Sequence, residues 1–272
     1  MPDPSGFAVV NDRILFYKKV VGSWLTNTRS RVLVVGAEEN DQEVFQSQGF
    51  GDVTLLNLGG GPPSLPAGWS FVRASGDCLP FPDDSFDYVI AHATLHHCRR
   101  PHAVLLEMYR VASKRAVFIE ARDSLTMRAL ERTGVTQVYE TTAVHFNDGE
   151  RGGVDDTSVP NFIYRWTERE VEKTVCAYAP HHDLRFEYLY GLAMPQTPAA
   201  IKNSRVVRAV ACVGRPLIRL FMSLSPRQQN LFAACICKPG EQDRLKPWLC
   251  RTDDGRVTFD RAWGHRRFHA KL

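Results

Sequence analysis

The chain has 272 residues, of which 44% are hydrophobic and 24% are charged, and its formal net charge is +4. This length is enough for one sizeable domain with a buried core. The charge is mildly basic and far from the dense clusters of a dedicated nucleic-acid-binding protein, so we expect no nucleic-acid partner.

The seven cysteines are odd in number and irregularly spaced. Cys235 and Cys237 form Cys-Ile-Cys, which is not the Cys-x-x-Cys spacing of a metal or redox motif. We therefore predict neither a disulfide framework nor a metal site. Small apolar residues in a reducing cytoplasm are the better interpretation of these cysteines.

The sequence predicts no membrane-spanning segment. The longest apolar run, residues 231–237, is far below the ~18–20 residues that cross a bilayer, and no signal peptide is visible. The predicted location is the cytoplasm. A basic amphipathic segment leaves peripheral membrane contact open, although a solvated helix face is the commoner explanation. Its arginines are Arg205, Arg208, Arg215 and Arg219.

Aromatic and apolar residues between positions 7 and 28 predict one or two helices before the first strand. Short apolar runs then predict seven strands, at 31–35, 53–58, 69–73, 86–91, 116–120, 184–190 and 230–238. Helices are expected at about 39–48, 101–111, 125–132 and 203–223, and another begins after a Thr167 cap and ends before Pro180.

Alternating strands and helices indicate a parallel sheet that is covered by helices on both faces. Runs such as VLVV and AVFI fit strands that are buried on both sides. The pattern therefore predicts a doubly wound α/β fold. Residues 1–30 would form an N-terminal helical cap, 31–238 the main domain with an insertion at about 124–166, and 239–272 a C-terminal tail.

Residues 76–97, GDCLPFPDDSFDYVIAHATLHH, join an acidic loop, a proline-bracketed turn, an apolar strand and a histidine pair. This order resembles the middle of class I S-adenosylmethionine-dependent methyltransferases. The resemblance covers residues 31–122 well and the back half more loosely. Within that family the chain is similar to the small-molecule branch, which contains many natural-product and glycan-modifying enzymes.

The resemblance implies a Rossmann-like, doubly wound, seven-stranded and mostly parallel sheet with a helical insertion and an antiparallel edge. It also implies methyl transfer from S-adenosylmethionine to an oxygen or nitrogen of a small-molecule or glycan-like acceptor. The alternative is a protein that uses the same fold as a non-methylating binding partner or scaffold. The sequence does not indicate an oligomeric state.

The cofactor cradle implied by the resemblance begins after the first strand, at Gly36 and Ala37. There the backbone would approach the methionine part of the cofactor. Glu38 stands where a second glycine is common, so this glycine loop is degenerate. Glu38 and Glu39 also suit a helix N-terminus. Asn57 replaces the usual acid that grips the ribose hydroxyls, and a turn-forming role is open for it.

The second half of the cradle lies between the third and fifth strands. Asp77 would accept a hydrogen bond from the adenine amino group, and the Cys78 backbone N–H would reach a ring nitrogen. His92 follows the fourth strand and should face the cofactor. We therefore expect these three residues to share one cleft with Gly36 and Asn57.

His96 and His97 are the candidate catalytic residues, because a neutral imidazole can deprotonate a hydroxyl group near neutral pH. A packing or helix-start role is equally open for each. Farther along, Arg165 and Trp166 could form a lid that meets an anionic group and stacks on a ring. The alternative for this pair is a hydrophobic staple that seats the following helix.

Overall fold

One seven-stranded sheet forms the centre of the structure, a computed structural model that describes residues 12–62, 64–194, 205–239 and 245–269. Its strand order is β3-β2-β1-β4-β5-β7-β6, and β7 runs antiparallel to both of its neighbours. The predicted Rossmann-like, mostly parallel sheet is confirmed. The strands are β1 Val32–Val35, β2 Val53–Asn57, β3 Ser70–Arg73, β4 Phe86–His92, β5 Ala112–Ala121, β6 Arg185–Gly191 and β7 Leu231–Cys237.

Eight helices belong to the described residues, and most of them cover the two faces of the sheet. They are α1 Asp12–Trp24, α2 Glu39–Ser47, α3 Pro101–Val111, α4 Leu125–Arg132, α5 Thr141–Phe146, α6 Glu168–Tyr178, α7 Arg205–Leu224 and α8 Arg261–Phe268. The parts of the predicted N-terminal cap before residue 12 and of the predicted helix before residue 205 lie outside the described residues.

The continuous apolar run of β1 is explained by its position between two cores. Leu33 and Val35 belong to the core under α3 and α6, whereas Val32 and Val34 belong to the core under α1 and α2. Because successive side chains of a strand point to opposite faces, a strand covered on both faces needs no polar positions.

Two features of the chain differ from the sequence-based expectation. The stretch from Ala112 to Arg115 lies between the predicted helix at 101–111 and the predicted strand at 116–120, but it forms the first part of β5 directly after α3. The chain thus enters the sheet at once, and Lys114 pairs with Asp87 of β4 at 2.8 Å. The presumed tail also contains ordered elements, a hairpin of β8 (Leu249–Arg251) and β9 (Val257–Phe259) followed by α8.

The insertion after β5 is tied to the body of the protein by buried contacts. Trp166 is fully buried and packs on Phe118 of β5, so it is a core residue and not an exposed lid. Arg165 forms an ion pair with Glu131 and donates a hydrogen bond to the carbonyl of Gln137 at 2.9 Å. Both side chains therefore hold the insertion in place.

The basic amphipathic segment corresponds to α7. The side chains of Arg205, Arg208 and Arg215 lie outside the described part of the structure, whereas Arg219 is exposed on the helix. Among the described residues, no helix combines the length and the apolar composition that crossing a membrane requires.

The first helix is joined to α2 by a buried polar contact. The hydroxyl of Tyr17 donates a 2.5 Å hydrogen bond to Asp41, and the other carboxylate oxygen accepts the Glu38 backbone N–H at 2.8 Å. Burial raises the pKa of Asp41 to about 6, and these hydrogen bonds oppose part of that rise. The contact therefore orders the start of α2. Its free-energy cost is greater when Asp41 is ionised, because burial disfavours the charged carboxylate.

Tyr17→Phe should lower the free energy of unfolding at pH 7 by about 1–2 kcal/mol, because Asp41 loses one buried donor. In the wild type, the pKa of Asp41 is higher when folded than the value of 3.8 expected when unfolded. The contribution of Asp41 to the stability of the wild type is thus complete below pH 3.8, and it is lost as the pH rises through about 6. The variant should extend this decline to higher pH. Urea unfolding at several pH values measures both effects.

The matched control is Tyr178→Phe, which removes the hydroxyl of a half-exposed tyrosine. Its stability should change by less than about 0.5 kcal/mol. An equal loss in both variants would show that the contact with Asp41 contributes nothing.

Candidate functional site

A cleft of about 370 Å³ lies beyond the carboxyl ends of β1, β2 and β4. We call it the first cleft. The strand order reverses between β1 and β4, and the crevice outside such a reversal is where open α/β sheets bind ligands. The segment 147–156 of the insertion forms its opposite wall.

Gly36 stands where β1 enters this cleft, and its backbone requires glycine. Its φ is +69°, and an added Cβ would lie 2.0 Å from Cγ2 of Thr94. The single hydroxyl proton of Thr94 is shared between the carbonyls of His92, at 3.0 Å, and Gly36, at 3.3 Å. Because Thr94 approaches so closely, only glycine fits at position 36. The end of β1 therefore carries no side-chain atoms beside the cleft.

Asn57 lines the first cleft at the end of β2 and also fixes the loop after β1. Its amide nitrogen donates to the carbonyl of Ala37 at 2.8 Å, and its oxygen accepts the Gly59 N–H at 3.3 Å. Ala37 itself packs against the core under α1. Asn57 thus has the turn-forming role, and it remains exposed to a ligand in the cleft.

Asp77 lines the same cleft, but its carboxylate already has partners. Ser75 donates a 2.6 Å hydrogen bond, and Arg100 forms an ion pair at 2.7 Å. The hydrogen bond from Ser75, opposed by partial burial and assisted by Arg100, holds the pKa of Asp77 below its usual value. The N–H of Cys78 points to the carbonyl of Ser75, at a long 3.4 Å, and the Cys78 side chain is exposed.

The wall opposite the strands is acidic and comes from the segment 147–156. Asp155 and Asp156 both have positive φ, 51° and 59°, and both line the cleft together with Glu38. Asp155 is held by the side chain of Arg99 at 3.2 Å and by its backbone N–H at 3.1 Å. The sequence analysis placed this segment in the insertion at about 124–166 and assigned no site residue to it.

A second, smaller cleft of about 160 Å³ lies beyond the ends of β4, β5 and β7. It shares Ala93 with the first cleft, so the two clefts are adjacent. Its lining is mixed, with apolar residues beside polar ones that include Arg13, His92, His96 and Glu120.

His92 lies on this second cleft and not with Gly36, Asn57 and Asp77 on the first, and Ala37 and Cys78 line neither cleft. Its ring stacks on Tyr17 with 4.3 Å between the ring centroids. Burial lowers the pKa of His92 to about 4, although Glu120 opposes the shift. The left-handed backbone of Ala93, with φ 51°, separates His92 from the loop that borders the first cleft.

His96 is held by the buried carboxylate that ends β5. Its Nδ1 lies 2.6 Å from one oxygen of Glu120, whose other oxygen accepts the Leu95 N–H at 2.7 Å. Burial by itself would lower the pKa of His96, but the charges of Glu120 and Glu140 outweigh it and raise the pKa to about 10. This environment favours the protonated, cationic form of His96 over the neutral form that a general base requires.

His97 is the member of the histidine pair that lines the first cleft. Its Nε2 lies 3.5 Å from Glu140, and that carboxylate is also 3.4 Å from Nε2 of His96. Burial and the charge of His96 lower the pKa of His97. The structure thus gives the two histidines different surroundings, and their catalytic role stays a prediction.

Sequence reasoning missed Glu120, Glu140 and Asn161. Glu120 did carry a signal, since an acid at the end of an apolar strand, AVFIE, marks the functional edge of a parallel sheet. Glu140 and Asn161 carried none. The Tyr139–Phe162 bridge and the hydrogen bond from Glu140 N–H to Asn161 O, at 3.0 Å, place them beside His96.

Comparison with known families supports the class of fold. Residues 51–119 match a family model described as a methyltransferase domain, and this match spans less than half of the 272 residues. A search of curated proteins found no match. The chain has the Rossmann-like methyltransferase fold, with the strand order given above.

Solved structures resemble this one at low sequence identity. The 4+2 cyclase SpnF is 12% identical, with a TM-score of 0.50, and the match covers 84% of this chain and 81% of that one. The 1,6-didemethyltoxoflavin-N1-methyltransferase of Burkholderia thailandensis is 14% identical, with coverages of 84% and 79% and a TM-score of 0.47. Magnesium protoporphyrin IX methyltransferase from Synechocystis is 13% identical, with coverages of 86% and 90% and a TM-score of 0.47. Because a cyclase is among them, the fold alone does not decide the reaction.

Gly36→Ala should destabilise the protein more than Gly49→Ala, although both glycines have left-handed backbones with φ of +69° and +78°. Alanine in that conformation costs about 1–2 kcal/mol at either position. Only Gly36 adds a clash, with Thr94, whereas nothing lies within 4 Å of a Cβ at Gly49. Overpacking should cost about 1–3 kcal/mol more. Urea unfolding of the two variants gives the difference, and equal losses would contradict the close approach.

Proposed function

We propose that this protein transfers a methyl group from S-adenosylmethionine to an oxygen or nitrogen of a small-molecule or glycan-like acceptor. The observation that carries the proposal is the first cleft, where Gly36, Asn57 and Asp77 meet at the carboxyl edge of the sheet. Two of these residues lie within the segment that matches a methyltransferase domain.

The first cleft fits the cofactor in size and charge. Its volume of about 370 Å³ falls within the range of small-molecule sites, about 300–1,000 Å³. The carboxylates of Glu38, Asp155 and Asp156 line it, and an acidic lining suits a ligand that carries a sulfonium and an ammonium group. Bound S-adenosylmethionine supplies an already activated methyl group.

The residues of the first cleft have separable roles in this proposal. Gly36 lets the backbone approach the methionine part of the cofactor. A larger residue would not fit at this position, because its side chain would meet Thr94. Asn57 offers its amide to the ribose, and Asp77 accepts a hydrogen bond from the adenine amino group. The Arg100 partner of Asp77 has a side chain that is 67% exposed, and such exposed ion pairs are readily exchanged for other contacts.

The second cleft is the place proposed for the acceptor. It adjoins the first cleft at Ala93, and transfer requires the nucleophile to be held close to the methyl group. The polar groups in its mixed lining, among them Arg13, Thr136 and Glu140, suit an acceptor that carries hydroxyl or other polar groups. Its small volume favours a small molecule, or one residue of a glycan, over a folded macromolecule.

A second candidate is the non-methylating binding partner or scaffold. The internal hydrogen bonds of Asn57 and the ion pair of Asp77 favour it, because both side chains are satisfied without a ligand. Under this alternative the first cleft would bind no nucleoside. Cofactor binding therefore separates the two candidates.

Calorimetric titration should show one S-adenosylmethionine bound per chain. Asp77→Asn should weaken binding by about 10–100-fold, because a hydrogen bond to a charged group contributes about 1.5–3 kcal/mol. The control is Asp52→Asn, an exposed carboxylate just before β2. It should leave the dissociation constant within about twofold of the wild type.

No binding at millimolar cofactor would favour the scaffold and reject the enzymatic proposal. Where cofactor binds, transfer is tested with S-adenosylmethionine that carries an isotope-labelled methyl group, incubated with a small-molecule extract. Labelled products should form with the wild type and not with Gly36→Ala. Labelled protein or nucleic acid as the sole product would contradict the proposed acceptor class.

A further inference from the structure

Three potential metal ligands meet between the two clefts. Nε2 of His96 and Nε2 of His97 lie 3.4 Å and 3.5 Å from the same oxygen of Glu140. One ligand atom from each residue lies within 4.8 Å of the others. We call these three residues the His-His-Glu cluster.

The distances in this cluster are long for hydrogen bonds and suit a metal ion. A charge-assisted N–H···O hydrogen bond is usually about 2.7–2.9 Å. Four ligands in a tetrahedron at about 2.0–2.1 Å from zinc are separated from one another by about 3.4 Å. The two measured separations, 3.4 Å and 3.5 Å, agree with the tetrahedral value. We propose that the His-His-Glu cluster binds a divalent transition-metal ion of the zinc type.

The groups around the cluster orient its ligands as metal sites require. Histidines that bind metals usually donate the other ring nitrogen to a carboxylate, which fixes the tautomer. Glu120 accepts such a contact from Nδ1 of His96 at 2.6 Å and leaves Nε2 for the metal. Asn161 donates to the ligating oxygen of Glu140 at 3.3 Å and thereby restricts that carboxylate.

Asn161 provides a second, independent indication. It is only 2% exposed, and its Oδ1 is buried without a hydrogen-bond partner among the described residues. Its Nδ2 is anchored by the carbonyl of His96 at 3.1 Å. A buried amide oxygen usually has a partner, and a metal-bound water beside the cluster would supply the missing donor.

The charge and the ligand types favour a soft-to-borderline dication over magnesium. Glu120 and Glu140 contribute two negative charges. Imidazoles bind metals in their neutral form, so the metal would displace to solvent the proton that these carboxylates favour on His96. Two imidazoles and one carboxylate form a ligand set known from catalytic zinc sites, which keep a fourth position open. Magnesium prefers oxygen ligands in an octahedral arrangement, which two histidines do not provide.

The cluster lies where it can act on an acceptor. His97 lines the first cleft, whereas His96 and Glu140 line the second. The fourth ligand position would therefore lie at the junction of the clefts. A hydroxyl group bound there would lose its proton more readily, because a metal lowers the pKa of a coordinated oxygen. This role for the metal rests on the proposed methyl transfer, whereas metal binding itself does not.

The test is a Co²⁺ titration of the full-length protein after removal of metals with EDTA. One Co²⁺ should bind per chain and give the strong visible absorption of a four- or five-coordinate site. A near-ultraviolet thiolate-to-cobalt band should be absent, which distinguishes this site from the cysteines. Zn²⁺ should displace the Co²⁺, whereas Mg²⁺ at a similar concentration should not.

Glu140→Gln should lower the Co²⁺ affinity by at least about 100-fold, because loss of an outer contact alone costs about 10–100-fold. His97→Ala should do the same, which covers the case where one variant folds poorly. The control is His145→Ala, an exposed histidine on α5 next to Glu140. It should bind Co²⁺ as the wild type does.

Absence of Co²⁺ binding by folded wild-type protein would overturn the proposal, and the cluster would then be a proton-bridged ion pair. Unchanged Co²⁺ affinity in both Glu140→Gln and His97→Ala would overturn it as well. S-adenosylhomocysteine binding is measured separately in EDTA and should be retained. Loss of nucleoside binding with intact Co²⁺ binding would reject the proposed function and leave the metal site standing.

Discussion

The site depends on one buried carboxylate, that of Glu120 at the end of β5. It is 2% exposed, and it binds both the backbone N–H of Leu95 and the ring of His96. A charge in such a position is costly unless it is fully hydrogen-bonded, so the turn after β4 cannot shift without leaving a buried charge unpaired. Because this turn also carries Thr94 and His97, the same contact fixes the floor of the first cleft and the edge of the second.

Much of the fold could be predicted from the sequence, because its signals are local. The run VLVV predicts a strand buried on both faces, and the two cores beside β1 confirm this. The cradle residues Gly36, Asn57 and Asp77 lie on one cleft, because strand ends in a parallel sheet meet at one edge. His92 ends β4 in the same way, but it lines the second cleft, and the next residue, Ala93, adopts a left-handed conformation that no sequence pattern predicted. The cleft that the last side chain of a strand faces was therefore not predictable from the sequence.

The insertion could not be predicted to the same extent, because its contacts are long-range. Glu140 is placed beside the histidine pair by the bridge between Tyr139 and Phe162 and by the hydrogen bond from its N–H to the carbonyl of Asn161. Neither contact follows from hydrophobic periodicity, and a strong pattern of polar and glycine residues around them predicts only a loop. The methyltransferase-domain match begins at residue 51 and ends at residue 119, so it excludes both the loop at Gly36 and this insertion. Gly36 and Glu140 therefore lie outside the matched segment, whereas Asn57 and Asp77 lie inside it.

The arrangement also explains why one role could not be predicted for both His96 and His97, which are adjacent in the sequence. His96 faces two carboxylates and is drawn towards positive charge, whereas His97 shares only Glu140 and borders the first cleft. Two identical side chains at adjacent positions thus differ because one meets the end of β5 and the other does not. Glu140 lies within 4 Å of both rings, at 3.4 Å from Nε2 of His96 and 3.5 Å from Nε2 of His97. The insertion that supplies Glu140 also forms the wall of the first cleft opposite the strands, so one inserted segment contributes to both clefts.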